Sequence, residues 1–147
     1  MEVVELLITK KAKVDPIDSL KRTPLHHAAI HNRMEVVELL ITKKAEVDRI
    51  DDLERTPLHY AAMYGHIKVV ELLITKKAKV NPIDKQKRTP LHFAAMICNL
   101  QIVQLLVANG ASVTAEDFDK QTPYLAAVTS PLRSENCKPV ADYLKRV

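Results

Sequence analysis

The chain repeats itself, and that constrains its fold more than any other feature. The tetrapeptide TPLH stands at residues 23–26, 56–59 and 89–92, with a weakened copy, TPYL, at 122–125; every interval is 33 residues. The decapeptide VVELLITKKA stands at 3–12, 36–45 and 69–78, and its decayed copy IVQLLVANGA at 102–111. Residues 34–66 match 1–33 at 24 of 33 positions and match 67–99 at 21, far beyond chance. A period of this length is one supersecondary unit, too small to bury its apolar face alone, so the copies must stack on one another.

Each period divides into three pieces. Thr56-Pro57 opens a first helix: Thr can cap exposed N–H groups, and Pro at the first helical position lacks the N–H that would go unpaired. Leu58, Ala61, Ala62 and Met63 then share one face, and the alanine pair lets a neighbouring helix approach closely. A second helix is expected over residues 67–76, where Val69, Val70, Leu72, Leu73 and Ile74 make an apolar face too broad for a lone surface helix. Lys76 and Lys77 sit at its end, where cations meet the negative pole of the helix dipole. The third piece, 78–88, holds Pro, Asn and Asp and reads as an extended arm with a tight turn.

Composition sets the limits. The chain of 147 residues is 47% hydrophobic and 27% charged, which is globular, and no apolar run approaches the roughly 20 residues of a membrane span. Net charge is +4, spread as +2, −3, +5 and 0 over residues 1–33, 34–66, 67–99 and 100–147. The alternating sign implies no continuous nucleic-acid stripe. Glu2 and Glu5 stand where a signal peptide would be basic. Cys98 and Cys137 make neither a disulfide framework nor a four-ligand zinc site, so a reducing, intracellular and cytoplasmic setting is expected.

The segments TPLHHAA, TPLHYAA and TPLHFAA, with YGHIKVVELL following the second, resemble the ankyrin repeat motif over nearly the whole chain. The resemblance implies an all-α ankyrin-repeat solenoid of stacked antiparallel helix pairs with β-hairpin fingers. Residues 1–147 form one domain: a partial repeat 1–22, repeats 23–55, 56–88 and 89–121, and a capping repeat 122–147. It also implies a concave face, built from fingers and first helices, that binds another protein, with no catalytic residue and no cofactor. Two departures matter. The family has Gly after the second helix, as in Asn109-Gly110-Ala111, but Lys11, Lys44 and Lys77 stand there in the other copies. It favours Gly two residues before the TPLH Thr, where Lys21, Glu54, Lys87 and Lys120 stand. Several of these residues are therefore expected at positive φ, held there by the stack against a cost of roughly 1–2 kcal/mol each.

Six histidines invite a metal reading, but no H-x-x-x-H pair with a third ligand is present and no metal site is expected. By the resemblance His26, His59 and His92 are structural, bonding near the helix start and the adjoining finger; His66 matches a structural Gly-His, and His31 is the one histidine read as a contact. Cys98 replaces the loop Gly65 of the preceding repeat and has Asn99, not a base, beside it, so an unreactive thiol is expected. Two glycines 45 residues apart make no phosphate loop.

The candidate contacts are residues that vary, or that recur without a packing reason. Arg22, Arg55 and Arg88 precede each TPLH and point to the concave face in the resembled fold, although Asp18, Asp51 and Asp84 lie near enough in sequence to pair with them instead. Ile17, Ile50 and Ile83 make an apolar column beside the finger tips. Ile30 with His31, Met63 with Tyr64, and Met96 with Ile97 end the first helices; Arg, Tyr and Met are enriched in protein interfaces. Reversing Arg55 and Arg88 to Glu is expected to weaken partner capture with the stack intact. Asp51, Asp52 and Glu54 make the second finger acidic, and Lys85, Lys87 and Arg88 make the third basic, which favours a partner protein of mixed charge over DNA. Competing functions are a structural spacer or fragment of a longer array, and polyanion or membrane-surface binding through the basic repeat. At the N-terminus Val3, Val4, Leu6, Leu7 and Ile8 lack a first-helix partner, so either self-association or aggregation through residues 1–8, or fraying of residues 1–11, is expected. At the C-terminus a helix over 122–128, a bulging loop at 130–138 and a late helix over 139–146 are expected.

Overall fold

A computed structural model describes residues 14–131 and 137–147. The N-terminal strip at residues 3–8, Lys11 and the loop 132–136 fall outside the described residues. Eight helices occur among the described residues and no strand: α1 Pro24–Ile30, α2 Met34–Thr42, α3 Pro57–Met63, α4 Ile67–Thr75, α5 Pro90–Met96, α6 Leu100–Ala108, α7 Pro123–Val128 and α8 Cys137–Arg146. Every first helix starts on the expected Pro, preceded by an extended Thr cap (φ −88°, ψ 165° at Thr56). In three of them the cap is reciprocal: the Thr N–H donates to Nδ1 of the His three residues on, at 3.0–3.1 Å.

Antiparallel pairs α1/α2, α3/α4, α5/α6 and α7/α8 stack through the first helices, α1 on α3 on α5 on α7, with α2, α4 and α6 lined up behind them. The alanine pairs Ala28-Ala29, Ala61-Ala62 and Ala94-Ala95 are buried between first helices, and Leu25, Leu58 and Leu91 have no exposed surface or nearly none. Val37, Val69, Val70, Leu73, Ile102, Val103 and Leu106 bring the second helices into the same core, which runs unbroken from α1 to α8. The whole broad face read from sequence is used because a repeat packs on both sides.

Polar stitches join the layers. Asp15, Asp48 and Asn81 accept the backbone N–H of Glu46, Lys79 and Ser112, one repeat further on, at 2.8–3.0 Å. Each finger is a tight turn: Asp18, Asp51, Asp84 and Asp117 accept two backbone N–H groups apiece and close the loop onto Arg22, Arg55, Arg88 and Gln121. The tips also bond from finger to finger, Asp52 to Leu20, Lys85 to Leu53 and Phe118 to Gln86.

The glycine departures are built as expected. Lys21, Glu54, Lys87 and Lys120 lie at φ 58–60°, and Lys44 and Lys77 at 73° and 70°. Lys77 donates to Ile74 and Ala78 to Leu73, a Schellman close that satisfies the last carbonyls of α4 and demands a left-handed residue between them. Asn32, Gly65 and Cys98 play the same part after the first helices, at φ 55°, 76° and 57°.

Two features differ from the sequence reading. One 33-residue period after Leu100 would start α8 at 133; it starts at Cys137 and so carries Pro139 in its first turn rather than as its first residue. And the cysteines, expected as unreactive thiols, form a disulfide with Cα atoms 4.6 Å apart. Their separation of 39 residues is one period plus six, so Cys137 leaves the repeat register and lands beside the loop of the preceding repeat.

Candidate binding face

The first helices and fingers share one side of the stack. On a helix, positions three and four apart lie on the same face. The residue after each TPLH His (His27, Tyr60, Phe93) is therefore continuous with the first-helix ends Ile30 and His31, Met63 and Tyr64, and Met96 and Ile97. The 6.5 Å stack of the His27 and His31 rings shows this alignment directly. A seven-residue helix spans about 10 Å, so the arginines at one end and the Met and Ile residues at the other are two ends of one strip.

The arginine end is a braced wall. Arg22 pairs with Asp18 at 2.9 Å, and His27 Nε2 reaches the same carboxylate at 3.0 Å. Arg88 pairs with Asp84 at 2.8 Å. Arg55 has no side-chain pair with Asp51, whose carboxylate accepts the Tyr60 hydroxyl. Its guanidinium reaches forward to Asp84 of the next finger at 3.4 Å, lying over the Tyr60 and Phe93 rings at 5.8 and 5.2 Å, while Arg88 covers Phe93 at 4.8 Å. Only 16–28% of each arginine side chain is exposed, and Asp84 is fully enclosed. The pairing read from sequence thus holds for Arg22 with Asp18 and Arg88 with Asp84, while Arg55 takes Asp84 in place of Asp51.

The far end is open. Tyr64 is 52% exposed and stacks on His66 at 6.1 Å; His66 Nε2–H donates to the Ile30 carbonyl across the repeat boundary at 3.0 Å. His31 is exposed, and Ile30, Met63, Met96 and Ile97 are half-buried. Ser130 donates to the Met96 carbonyl at 2.6 Å and holds the last row in place. Ile17, Ile50 and Ile83 stand 50–53% exposed along the fingers, joined by Leu20 and Leu53.

Family models match the repeats. One described as "Ankyrin repeats (3 copies)" matches residues 1–84, and one described as "Ankyrin repeat" matches 86–118. The chain belongs to the ankyrin repeat family. No curated protein matches it. Ankyrin repeats are in general protein–protein interaction modules, and the family is typically non-catalytic.

The ankyrin histidines are structural in detail. His26, His59 and His92 are buried; Nδ1 accepts the Thr N–H, so Nε2 carries the proton and donates to the carbonyl of Arg55, Arg88 or Gln121 in the next finger at 2.9–3.1 Å. Burial lowers the pKa of all three, His59 to about 4, so each ring is neutral at pH 7 and ties two repeats together. Burial, then the bond to Asp51, pushes the Tyr60 hydroxyl up to about 12. Burial alone would raise Asp84, but the Arg88 side chain and the N–H groups of Arg88 and Gln86 outweigh it and hold the carboxyl low. Among the described residues no cluster of His, Cys, Asp or Glu could hold a metal, and no helix is long and apolar enough to cross a membrane.

The position not singled out in the sequence is that of His27, Tyr60 and Phe93, of which His27 is half-buried and Tyr60 and Phe93 are buried under the arginines. Their signal was present: theirs is the one position that varies inside an otherwise constant TPLHxAA.

Proposed function

We propose that this ankyrin repeat protein is a non-catalytic module that binds a partner protein along the first-helix strip, with Tyr64, Met63, Met96 and Ile97 as the contact centre. The carrying observation is the contrast along that strip. One end is braced by ion pairs and rings, and the other ends in an exposed Tyr beside half-buried Met and Ile. A rigid wall beside adaptable apolar side chains suits protein contact, since little order remains to be lost on binding. His31 and the edges of Arg22, Arg55 and Arg88 extend the contact. A cytoplasmic setting and a role without catalysis belong to the same reading.

The test is partner capture by the intact chain and by Tyr64→Ala. A hot-spot loss of about 2 kcal/mol weakens capture roughly thirtyfold, with the melting temperature unchanged because Tyr64 is exposed. Unchanged capture by Tyr64→Ala and Met63→Glu together would move the site elsewhere. Reversing Arg55 and Arg88 is a poor probe, contrary to the expectation from sequence: both hold Asp84, so two glutamates there would unsettle the fingers as well. Salt separates the polyanion reading. Binding through the lysines of residues 67–99 should collapse between about 50 and 300 mM salt, and binding through Tyr64 and the methionines should not.

A further inference from the structure

We propose that Cys98 and Cys137 form a redox-reversible clasp that decides whether α8 stays docked on the stack. The fourth unit lacks the turn that joins the two helices of each inner repeat. In the inner repeats the second helix follows the first after three residues, through a left-handed turn whose N–H groups close onto the first helix; Gly65 donates to Ala62 and His66 to Ala61. The fourth unit replaces that turn with a longer connection, and α8 begins four positions late. Its buried residues are Cys137, Val140 and Leu144, and its other positions include exposed Lys138, Asp142, Lys145 and Arg146. Ala141 and Tyr143 add partly buried contacts, but this ten-residue helix packs on one side only, at the end of the stack, and too short a helix to be stable alone gains from a tether. The disulfide supplies one, fixing the first residue of α8 to the left-handed turn residue of α5.

The clasp also borders the proposed contact strip. Cys98 follows Met96 and Ile97 directly, and Ser130, two residues beyond α7, donates to the Met96 carbonyl. Oxidation removes two protons and two electrons from the thiols. Glutathione disulfide accepts them by two successive exchanges, each releasing one glutathione thiol. Reduction reverses both steps. The cysteines are 9% and 8% exposed, so an incoming thiol must wait for α8 to open, and exchange is coupled to that opening.

The experiment uses the full chain equilibrated in glutathione buffers from reducing to oxidising, with the dithiol fraction read by mass and amide hydrogen exchange read over 137–146 and over 57–75. The expected result is a reversible transition in mass. Exchange over 137–146 should be about tenfold or more faster in the dithiol form, with 57–75 unaltered. Cys137→Ser should show the fast exchange in every buffer. Cys98→Gly is the second variant, because glycine suits the left-handed position and occurs there as Gly65 one repeat earlier; it should match Cys137→Ser and stay folded. Equal exchange over 137–146 in both redox forms overturns the proposal. So does a disulfide that no glutathione buffer reduces in the folded chain, or thiols that none oxidises.

Discussion

The repeat 56–88 and the unit 122–147 descend from one pattern but are held by different chemistry. In the inner repeat His59 bonds back to Thr56 and forward to Arg88, Asp48 stitches to Lys79, and the loop between helices is a closed turn of three residues. In the C-terminal unit TPLH has become TPYL. Leu125 stands where the histidine would be and lies 39% exposed, the second helix starts late, and a disulfide takes over from the turn. Where both neighbours are repeats, cohesion comes from many shared hydrogen bonds. Where the register breaks, apolar packing and the Ser130 bond to Met96 remain, and one covalent bond is added to them.

The largest effect that would break this comparison is acid. His59 is neutral in the stack down to about pH 4, whereas an unfolded His takes its proton near 6.5. The stability it supplies is therefore complete above about pH 6.5 and is lost as pH falls toward 4, by roughly 3 kcal/mol for this residue alone. His26 and His92 are lowered in the same direction and add to the loss. Asp84, held low, gives way only below the ordinary carboxylate value of 3.8. Urea midpoints measured from pH 7.5 to 4.5 should fall steadily, with helices α1 to α6 losing protection and the clasped unit contributing little to the slope. A flat profile over that range would show that the histidine rings are not the cross-repeat ties described above.

A pair of substitutions sharpens the point at a single position. His59→Ala removes a buried ring and leaves the Thr56 N–H and the Arg88 carbonyl without their partner, at a cost of about 2–4 kcal/mol. Leu125→His, the reverse change in the fourth unit, meets an exposed site and should alter stability by less than about 0.5 kcal/mol. Denaturant midpoints of the two variants give both numbers.

How much of this was legible in the sequence depends on whether a feature obeys the period. Pro57 and the run from Val69 to Ile74 placed both helices of the unit, since capping and apolar spacing are local properties. The positive-φ lysines followed from where glycine was missing. The Arg55 pairing was not legible. Asp51 is the nearer acid in sequence, yet Asp51 takes the Tyr60 hydroxyl, a group that neither the first nor the third repeat has, and Arg55 reaches Asp84 instead. The disulfide was hidden for the same kind of reason: register predicts contacts 33 residues apart, and Cys137 is displaced from it by the loop before α8. The sequence reading of the proposed strip named its ends and passed over the shared position of His27, Tyr60 and Phe93, because those three differ in chemistry.

The smallest effect tests the turns that close the second helices of the inner repeats. After α4 the left-handed position is Lys77, at φ 70°; after α6 it is Gly110, at φ 86°. The two turns close identically, Lys77 to Ile74 and Ala78 to Leu73, Gly110 to Val107 and Ala111 to Leu106. A non-glycine residue there costs roughly 1–2 kcal/mol, against which glycine brings a more flexible unfolded chain worth about 0.5–1 kcal/mol. The balance favours glycine. Lys77→Gly should therefore raise stability by about 0.5–1 kcal/mol, a few degrees in melting temperature. Gly110→Ala should lower it by a similar amount, since no atom crowds the new Cβ and only the backbone conformation resists. Lys77 is exposed and no ion pair holds it among the described residues, so the first substitution removes no contact that would mask the gain. If calorimetry finds Lys77→Gly destabilising, the stack holds its lysine turns by something other than the Schellman geometry they share with Gly110.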